Sequence, residues 1–267
     1  MLLLLRQLLS REIGLRQALL AVSHFLSPQR MLSGDDFNWS KYHLHYRQEI
    51  SSISRANNLL LEHKDFSLVG AKLNLLRPNS ILPSHHALYE SIALLEASSL
   101  LEVGCGGGDH LKNLSTIFPR KTVRGIDLSI EQIAFAIERH PTLKGSVSVL
   151  DISRDTPPQA IQSDVVFSHA VLMHISEKGG RFERALENMF SRANSAVVIV
   201  ENWQQHDFLS AVRKICASSK KWSSAQVYVH ESSAFPGVRA MIVALECPAS
   251  PAESYELFLQ GGKLRTH

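Results

Sequence analysis

One stretch constrains this chain more than any other. An apolar run, Leu100-Leu101-Glu102-Val103, ends in Gly104-Cys105-Gly106-Gly107-Gly108-Asp109 and then gives way to a helical pattern. A strand that feeds a glycine loop and a helix opens a βαβ unit. In open α/β sheets a ligand binds beyond the carboxyl ends of the strands. Gly104, Gly106 and Gly108 lack the Cβ atoms that would keep a ligand off the backbone. A plain tight turn uses the same glycines, so the spacing has to discriminate. A dinucleotide loop needs Gly-x-Gly-x-x-Gly. Counted from Gly104, the last position is Asp109, a carboxylate where a pyrophosphate would sit. Counted from Gly106, it is Leu111. No Gly-Lys-Ser/Thr follows, which excludes a P-loop. The loop suits a ligand without phosphates.

After residue 98 the pattern alternates between short β-branched runs and helical stretches. Leu100–Val103 ends at Gly104, Thr122–Ile126 at Asp127 and Val147–Leu150 at Asp151. Val165–Phe167 follows Asp164, and Ala196–Val200 ends at Glu201. Helices fit over Leu111–Phe118, Glu131–Arg139 and Arg181–Phe190. Ser129 with Gln132 has capping-box spacing for the second. Val227–Val229 and Val238–Leu245 are separated by Pro236-Gly237, so they pair as an antiparallel hairpin. The expected fold is α/β: a seven-stranded, mostly parallel sheet closed by a C-terminal antiparallel hairpin. Residues 1–95 form a helical N-terminal extension, and residues 96–267 the ligand-binding domain.

These motifs resemble those of the class I S-adenosylmethionine-dependent methyltransferases, over about residues 98–247. Glu102-Val103-Gly104-Cys105-Gly106-Gly107-Gly108 is similar to their first motif. Ser163-Asp164-Val165-Val166-Phe167-Ser168-His169-Ala170-Val171-Leu172-Met173-His174-Ile175 is similar to their fourth. The resemblance implies a Rossmann-like sheet and S-adenosyl-L-methionine as cofactor. It places the cofactor on Glu102, Gly104, Cys105, Gly106, Gly108, Asp127, Leu128, Asp151, Ile152, Ser168 and His169. In the family the acid at Asp127 binds both ribose hydroxyls, as a carboxylate can. The acid at Asp151 takes the adenine amino group, and Ile152 packs on the ring. Each acid alone reads equally as a loop residue or a cap. Their coincidence with the glycine loop carries the weight.

Methyl transfer to oxygen or nitrogen needs the acceptor held near the methyl group, and often a base. His169, just after the fourth strand, and His206, beyond the fifth, are the candidates. Histidine titrates in a suitable range, although each could only shape the pocket. His85, His86 and Tyr89 fall on a helix capped by Ser84, either as a lid over the cofactor or as an exposed face. No metal is expected. Glu201-Asn202 matches part of a catechol-type ligand set, but Ser168-His169 stands where that set needs an aspartate. His43-x-His45 and His85-His86 have no nearby cysteines to complete a zinc site.

The chain carries 28 Lys+Arg against 25 Asp+Glu. Residues 1–30 hold Arg6, Arg11, Arg16 and Arg30 against Glu12, so this segment carries the whole +3 and the rest is neutral. A neutral working domain lacks a nucleic-acid footprint, so no nucleic-acid partner is expected. Residues 2–26 pattern as an amphipathic helix. Three readings stay open for it: packing on its own domain or a partner, a membrane-surface anchor, or a mitochondrial transit peptide. No apolar run reaches the ~18 residues of a membrane span. Three scattered cysteines fit a reducing compartment such as the cytoplasm. The expected activity is methyl transfer to an oxygen, with nitrogen second, of a small molecule, lipid precursor or glycan sugar. The rival from another class is a binding or assembly protein that keeps the fold without catalysis.

Overall fold

Five short strands line up as the parallel part of one sheet. The computed structural model describes residues 59–246 except Pro78, Asn79 and Gln204, together with Pro248 and the strands Leu32–Ser33, Asp36–Phe37 and Glu253–Ser254. The expected helix at residues 2–26, the His43/His45 pair and Cys247 lie outside these residues. In chain order the strands are β1 Leu32–Ser33, β2 Asp36–Phe37, β3 Phe66–Val69, β4 Lys72–Leu75, β5 Ser99–Val103, β6 Thr122–Asp127, β7 Val147–Val149, β8 Ser163–His169, β9 Ala193–Val200, β10 Gln226–Glu231, β11 Arg239–Ala244 and β12 Glu253–Ser254. The α-helices are α1 Pro83–Ala93, α2 Asp109–Ile117, α3 Ile130–Arg139, α4 Arg181–Arg192 and α5 Phe208–Ser218.

The main sheet has the order β12-β10-β11-β9-β8-β5-β6-β7. β5 to β9 pair in parallel, and β10, β11 and β12 are antiparallel additions. The seven expected strands and their hairpin are all present. The second hairpin strand, β11, packs beside β9, with Ile242 opposite Val198, and pushes β10 outward. The short strand β12 adds an eighth member.

Strand alternation sends neighbouring side chains to opposite faces. Leu100, Val165, Phe167, Val198 and Ile242 join one core cluster with Leu88 and Ile92 of α1 and Leu111 and Leu114 of α2. Leu101, Val103, Val166, Val197, Ile199 and Val243 join the other with Leu186 and Met189 of α4 and Val212 of α5. Burial on both faces is why these strands read as continuous apolar runs.

Several elements depart from the sequence expectation, among them the short strands β1, β2 and β12. The stretch before α1 contributes an antiparallel hairpin, β3–β4, where helices and loops were expected. Phe66 pairs with Leu75, and the turn is made at Gly70, φ +58°. α5 follows the fifth parallel strand, unmarked in the sequence reading. Asp207 caps it by accepting from the Ser210 amide, and Phe208, Val212 and Ile215 supply its buried stripe. α3 begins as expected, with the Ser129 hydroxyl accepting from the Gln132 amide. No helix among the described residues is long and apolar enough to cross a membrane.

Candidate active site at the switch point of the sheet

β5 lies between β6 and β8, so the chain leaves β5 toward one edge of the sheet and later returns on the other side. Such a switch point opens a crevice at the carboxyl ends of the strands. The glycine loop follows β5 into it. The amides of Gly104 and Cys105 both donate to the Ile126 carbonyl, at 2.7 and 3.0 Å. Gly104 has φ +74°. A Cβ there would run into Cγ2 of Val171 and lie 2.8 Å from its Cγ1. Only glycine lets the loop after β8 close down on the loop after β5. Gly108, φ +79°, starts α2, and a Cβ there would lie 2.6 Å from Leu143 Cδ1.

Asp127 ends β6 beside this loop. Its Oδ2 accepts from the Gly106 amide and its Oδ1 from the Ser129 amide, each at 2.9 Å. These bonds fix the carboxylate and link it to the glycine loop. Leu128, next along, is 44% exposed, a large apolar side chain beside an oriented acid. Glu102 is buried within β5, and its Oε2 has no hydrogen-bond partner. Burial pushes its carboxyl well above the usual range, and the nearby Asp127 and Asp109 push the same way. Burial likewise raises the Cys105 thiol, with Glu102 adding to the shift. A cationic group of a ligand would relieve this concentration of acids.

Asp109 behaves otherwise than its place in the loop implies. Its Oδ1 meets Arg139 Nη2 at 2.7 Å and His140 Nε2 at 3.1 Å, so it forms a buried ion pair. Asp151 Oδ1 accepts from the Ser153 amide at 2.9 Å and hydroxyl at 2.6 Å, and Arg181 lies 3.7 Å from Oδ2. Ile152 is buried in the same core cluster as Leu101 and Ile126.

At the end of β8, the buried Ser168 hydroxyl donates to Oε1 of Glu201 at 3.0 Å. Glu201 also accepts from the amides of Val171 and Leu172, each at 3.1 Å, and of Met173 at 3.2 Å. Burial raises its carboxyl to about 7 against the lowering effect of these bonds. Glu201 belongs to the pair that matches only part of a catechol-type ligand set. The structure uses it to hold the β8 loop. Ala170, between these residues, has φ +53°, the single positive φ outside glycine among the described residues. Such strain concentrates where neighbouring structure over-determines the backbone.

His169 stands next to that strained residue, with Nε2 2.9 Å from the Ser84 hydroxyl. Ser84 is not a cap: α1 starts at Pro83 behind Leu82, and Ser84 lies within its first turn. His85 follows it, and His110 enters from the first turn of α2. The ring centroids are 4.3 Å apart for His85–His110, 4.7 Å for His110–His169 and 5.0 Å for His85–His169. Burial lowers His169 to about 4, and lowers His85 and His110 well below the usual range, helped by their mutual repulsion. His110 was not singled out from sequence, although the residue after Asp109 faces whatever the glycine loop faces.

His86 and Tyr89 are buried rather than on an exposed helical face. His86 Nε2 bonds the Leu73 carbonyl at 2.6 Å. Tyr89 bonds His110 Nδ1 at 3.0 Å. His206 is placed differently from His169. Its ring stacks on Phe182 at 4.1 Å, Nδ1 meets Glu177 Oε1 at 2.9 Å, and Nε2 meets the Leu172 carbonyl at 3.1 Å. Both nitrogens face acceptors, so neither is placed to take an acceptor's proton.

Residues 100–195 match the family described as Methyltransferase domain. The chain is 27% identical over 118 residues to a trans-aconitate 2-methyltransferase of Klebsiella pneumoniae, covering 44% of this chain and 45% of that protein. It is 35% identical over 99 residues to phosphoethanolamine N-methyltransferase 3 of Arabidopsis thaliana, covering 36% of this chain and 19% of that protein. The chain therefore spans less than half the length of these curated relatives. Among solved structures, DesVI of Streptomyces venezuelae is similar with TM-score 0.47 and 13% identity, over 61% of this chain and 92% of that one. The magnesium protoporphyrin IX methyltransferase of Synechocystis, with bound S-adenosylmethionine, has TM-score 0.42 and 15% identity, over 60% and 78%.

Proposed function

We infer that this chain, a class I S-adenosylmethionine-dependent methyltransferase through its residues 100–195, methylates an oxygen, with nitrogen as second choice, of a small molecule. The observation that carries the reading is the bond from the Gly106 amide to Asp127. It joins a glycine loop unsuited to phosphates to an oriented acid at the next strand end, as a ribose-binding site needs. Asp127 would hold the ribose, and Leu128 and Asp151 would flank the adenine. The glycine loop would hold the methionine portion, and a bound cationic group would favour the charged form of Glu102, whose Oε2 has no hydrogen-bond partner. Bound S-adenosylmethionine supplies the methyl group as part of a sulfonium.

The chain's own task is then to place the acceptor. His169 ends β8 at the switch point and accepts or holds the acceptor's proton, oriented by Ser84. With its pKa near 4, it works at neutral pH as a hydrogen-bond acceptor more than as a strong base. His206 is a positioning residue for the β8 loop. Residues 1–95 supply the acceptor wall through α1. Two relatives named for small acceptors, trans-aconitate and phosphoethanolamine, support the substrate class. The free thiols of Cys105 and Cys216 fit a reducing cytoplasm.

The test is calorimetric titration of the folded protein with S-adenosylmethionine, followed by a methyl-release assay over small carboxylates, alcohols and amines. Binding and turnover of an oxygen acceptor are expected. Absence of cofactor binding in a folded sample would overturn the reading.

A further inference from the structure

We propose that His85, His110 and His169 form a three-imidazole site for a divalent cation of the zinc class, at the carboxyl ends of β5 and β8. One ligand atom from each residue lies within 4.8 Å of the other two. An ion about 2.0–2.1 Å from each nitrogen would set them about 3.4 Å apart. Side-chain rotation of about 1 Å closes that difference without moving a strand.

Three features separate this cluster from ordinary packed histidines. First, His85 is buried and its Nδ1 has no hydrogen-bond partner. A buried polar atom without a partner costs free energy, and a ligand in the cluster would remove that cost. His85 meets both other rings edge-on, so the orphaned nitrogen belongs to the cluster.

Second, the other two rings are held from behind, as metal-bound histidines are. Tyr89 engages His110 Nδ1 at 3.0 Å and in turn accepts from Asn113 Nδ2 at 2.9 Å. Ser84 engages His169 Nε2 at 2.9 Å. Each contact takes one ring nitrogen, so a cation would take the other.

Third, all three donors are imidazoles, which bind a metal through an unprotonated ring nitrogen. Imidazole ligands favour zinc, copper, iron or nickel over magnesium or calcium. Three protein ligands leave a fourth position open, for water or an oxygen of the acceptor.

The site stands on this geometry and not on the methyltransferase reading. The two meet at His169, because a nitrogen bound to a cation cannot also take a proton, and at the open fourth position, which an acceptor oxygen could fill.

The full chain, stripped with chelator and dialysed, is titrated with zinc(II) by calorimetry and with cobalt(II) by visible absorption. The expected result is one equivalent, with the intense d–d bands of low-coordinate cobalt. His85→Ala and His110→Ala should each weaken binding at least about tenfold, as should Tyr89→Phe behind His110. Circular dichroism confirms each fold, and His→Gln variants replace any alanine variant that fails to fold. No stoichiometric binding, or binding undiminished in all folded variants, would overturn the proposal. Cofactor affinity measured on the same metal-free samples tells failure of this site from failure of the methyltransferase reading.

Discussion

The imidazole of His169 bonds the Ser84 hydroxyl at 2.9 Å across 85 residues of chain. This contact brings the segment before the glycine-loop domain into the site itself. Pro83, suited to the first helical position, starts α1 so that Ser84 and His85 present themselves to the end of β8. A serine that reads as a helix cap thereby orients the histidine nearest the switch point.

Asp127→Ala should remove cofactor affinity and loosen the glycine loop together, because one carboxylate serves both Gly106 and Ser129. Charge-assisted hydrogen bonds contribute about 1.5–3 kcal/mol each, so the loss of affinity should be at least about tenfold per ribose contact. Calorimetry gives the affinity and thermal melting the loop's share. Wild-type affinity in the folded variant would remove Asp127 from the ribose site.

Gly104→Ala should destabilise the protein by roughly 2–5 kcal/mol, from a left-handed non-glycine residue and an overpacked Val171. Val171→Ala removes both crowding methyls, so the double variant should recover part of the loss, with the backbone strain remaining. Urea denaturation of the double-mutant cycle checks this. Additive effects would show that the two loops do not press on each other.

In chelator-treated protein, His169→Ala should lower turnover by about a hundredfold, the low end of a proton-acceptor contribution, with cofactor affinity near wild type. A histidine with an ordinary pKa would make the rate rise through an ionisation near neutrality. The burial of His169 moves that limb to about 4. Because only the neutral ring accepts a proton, the rate should fall as pH drops through that value. Any limb near pH 7 would come from Glu201 and should vanish in Glu201→Gln. A His169→Ala variant with full rate would leave positioning alone as the driver.

Glu90→Ala should cost about 3–5 kcal/mol, as breaking a buried charge network does. Its carboxylate accepts from the Leu73 amide, the Ser233 amide and hydroxyl, and His230 Nε2, so it clasps β4, α1 and the β10–β11 turn. Burial alone would raise this carboxyl, but those bonds hold it at about 2. A depressed acid contributes stability that is full above its unfolded value of 4.5 and fades as pH falls toward 2. Urea unfolding at pH 7 and pH 3 should show wild type losing more stability on acidification than Glu90→Gln. Equal losses would show that the clasp does not depend on the charge.

The sheet was legible in the sequence because its signals are local. Runs such as Val165–Phe167 and Ala196–Val200 announce strands buried on both faces, and Pro236-Gly237 announces a reversal. The glycines at 104, 106 and 108 mark where backbone must come close. Asp127 was legible as a site residue because it ends a strand next to that loop. The α5 stripe of Phe208, Val212 and Ile215 and the turn at Gly70 are equally local signals. What only the tertiary structure decided are partnerships between segments far apart in the chain. Asp109 is claimed by Arg139 and His140, Ser168 by Glu201, and His206 by Phe182 and Glu177, while β11 inserts between β9 and β10. The meeting of His85, His110 and His169 depends on how α1 and α2 pack over one face of the sheet. Packing of that kind arises from the whole core at once and leaves no periodicity or spacing in the chain to read.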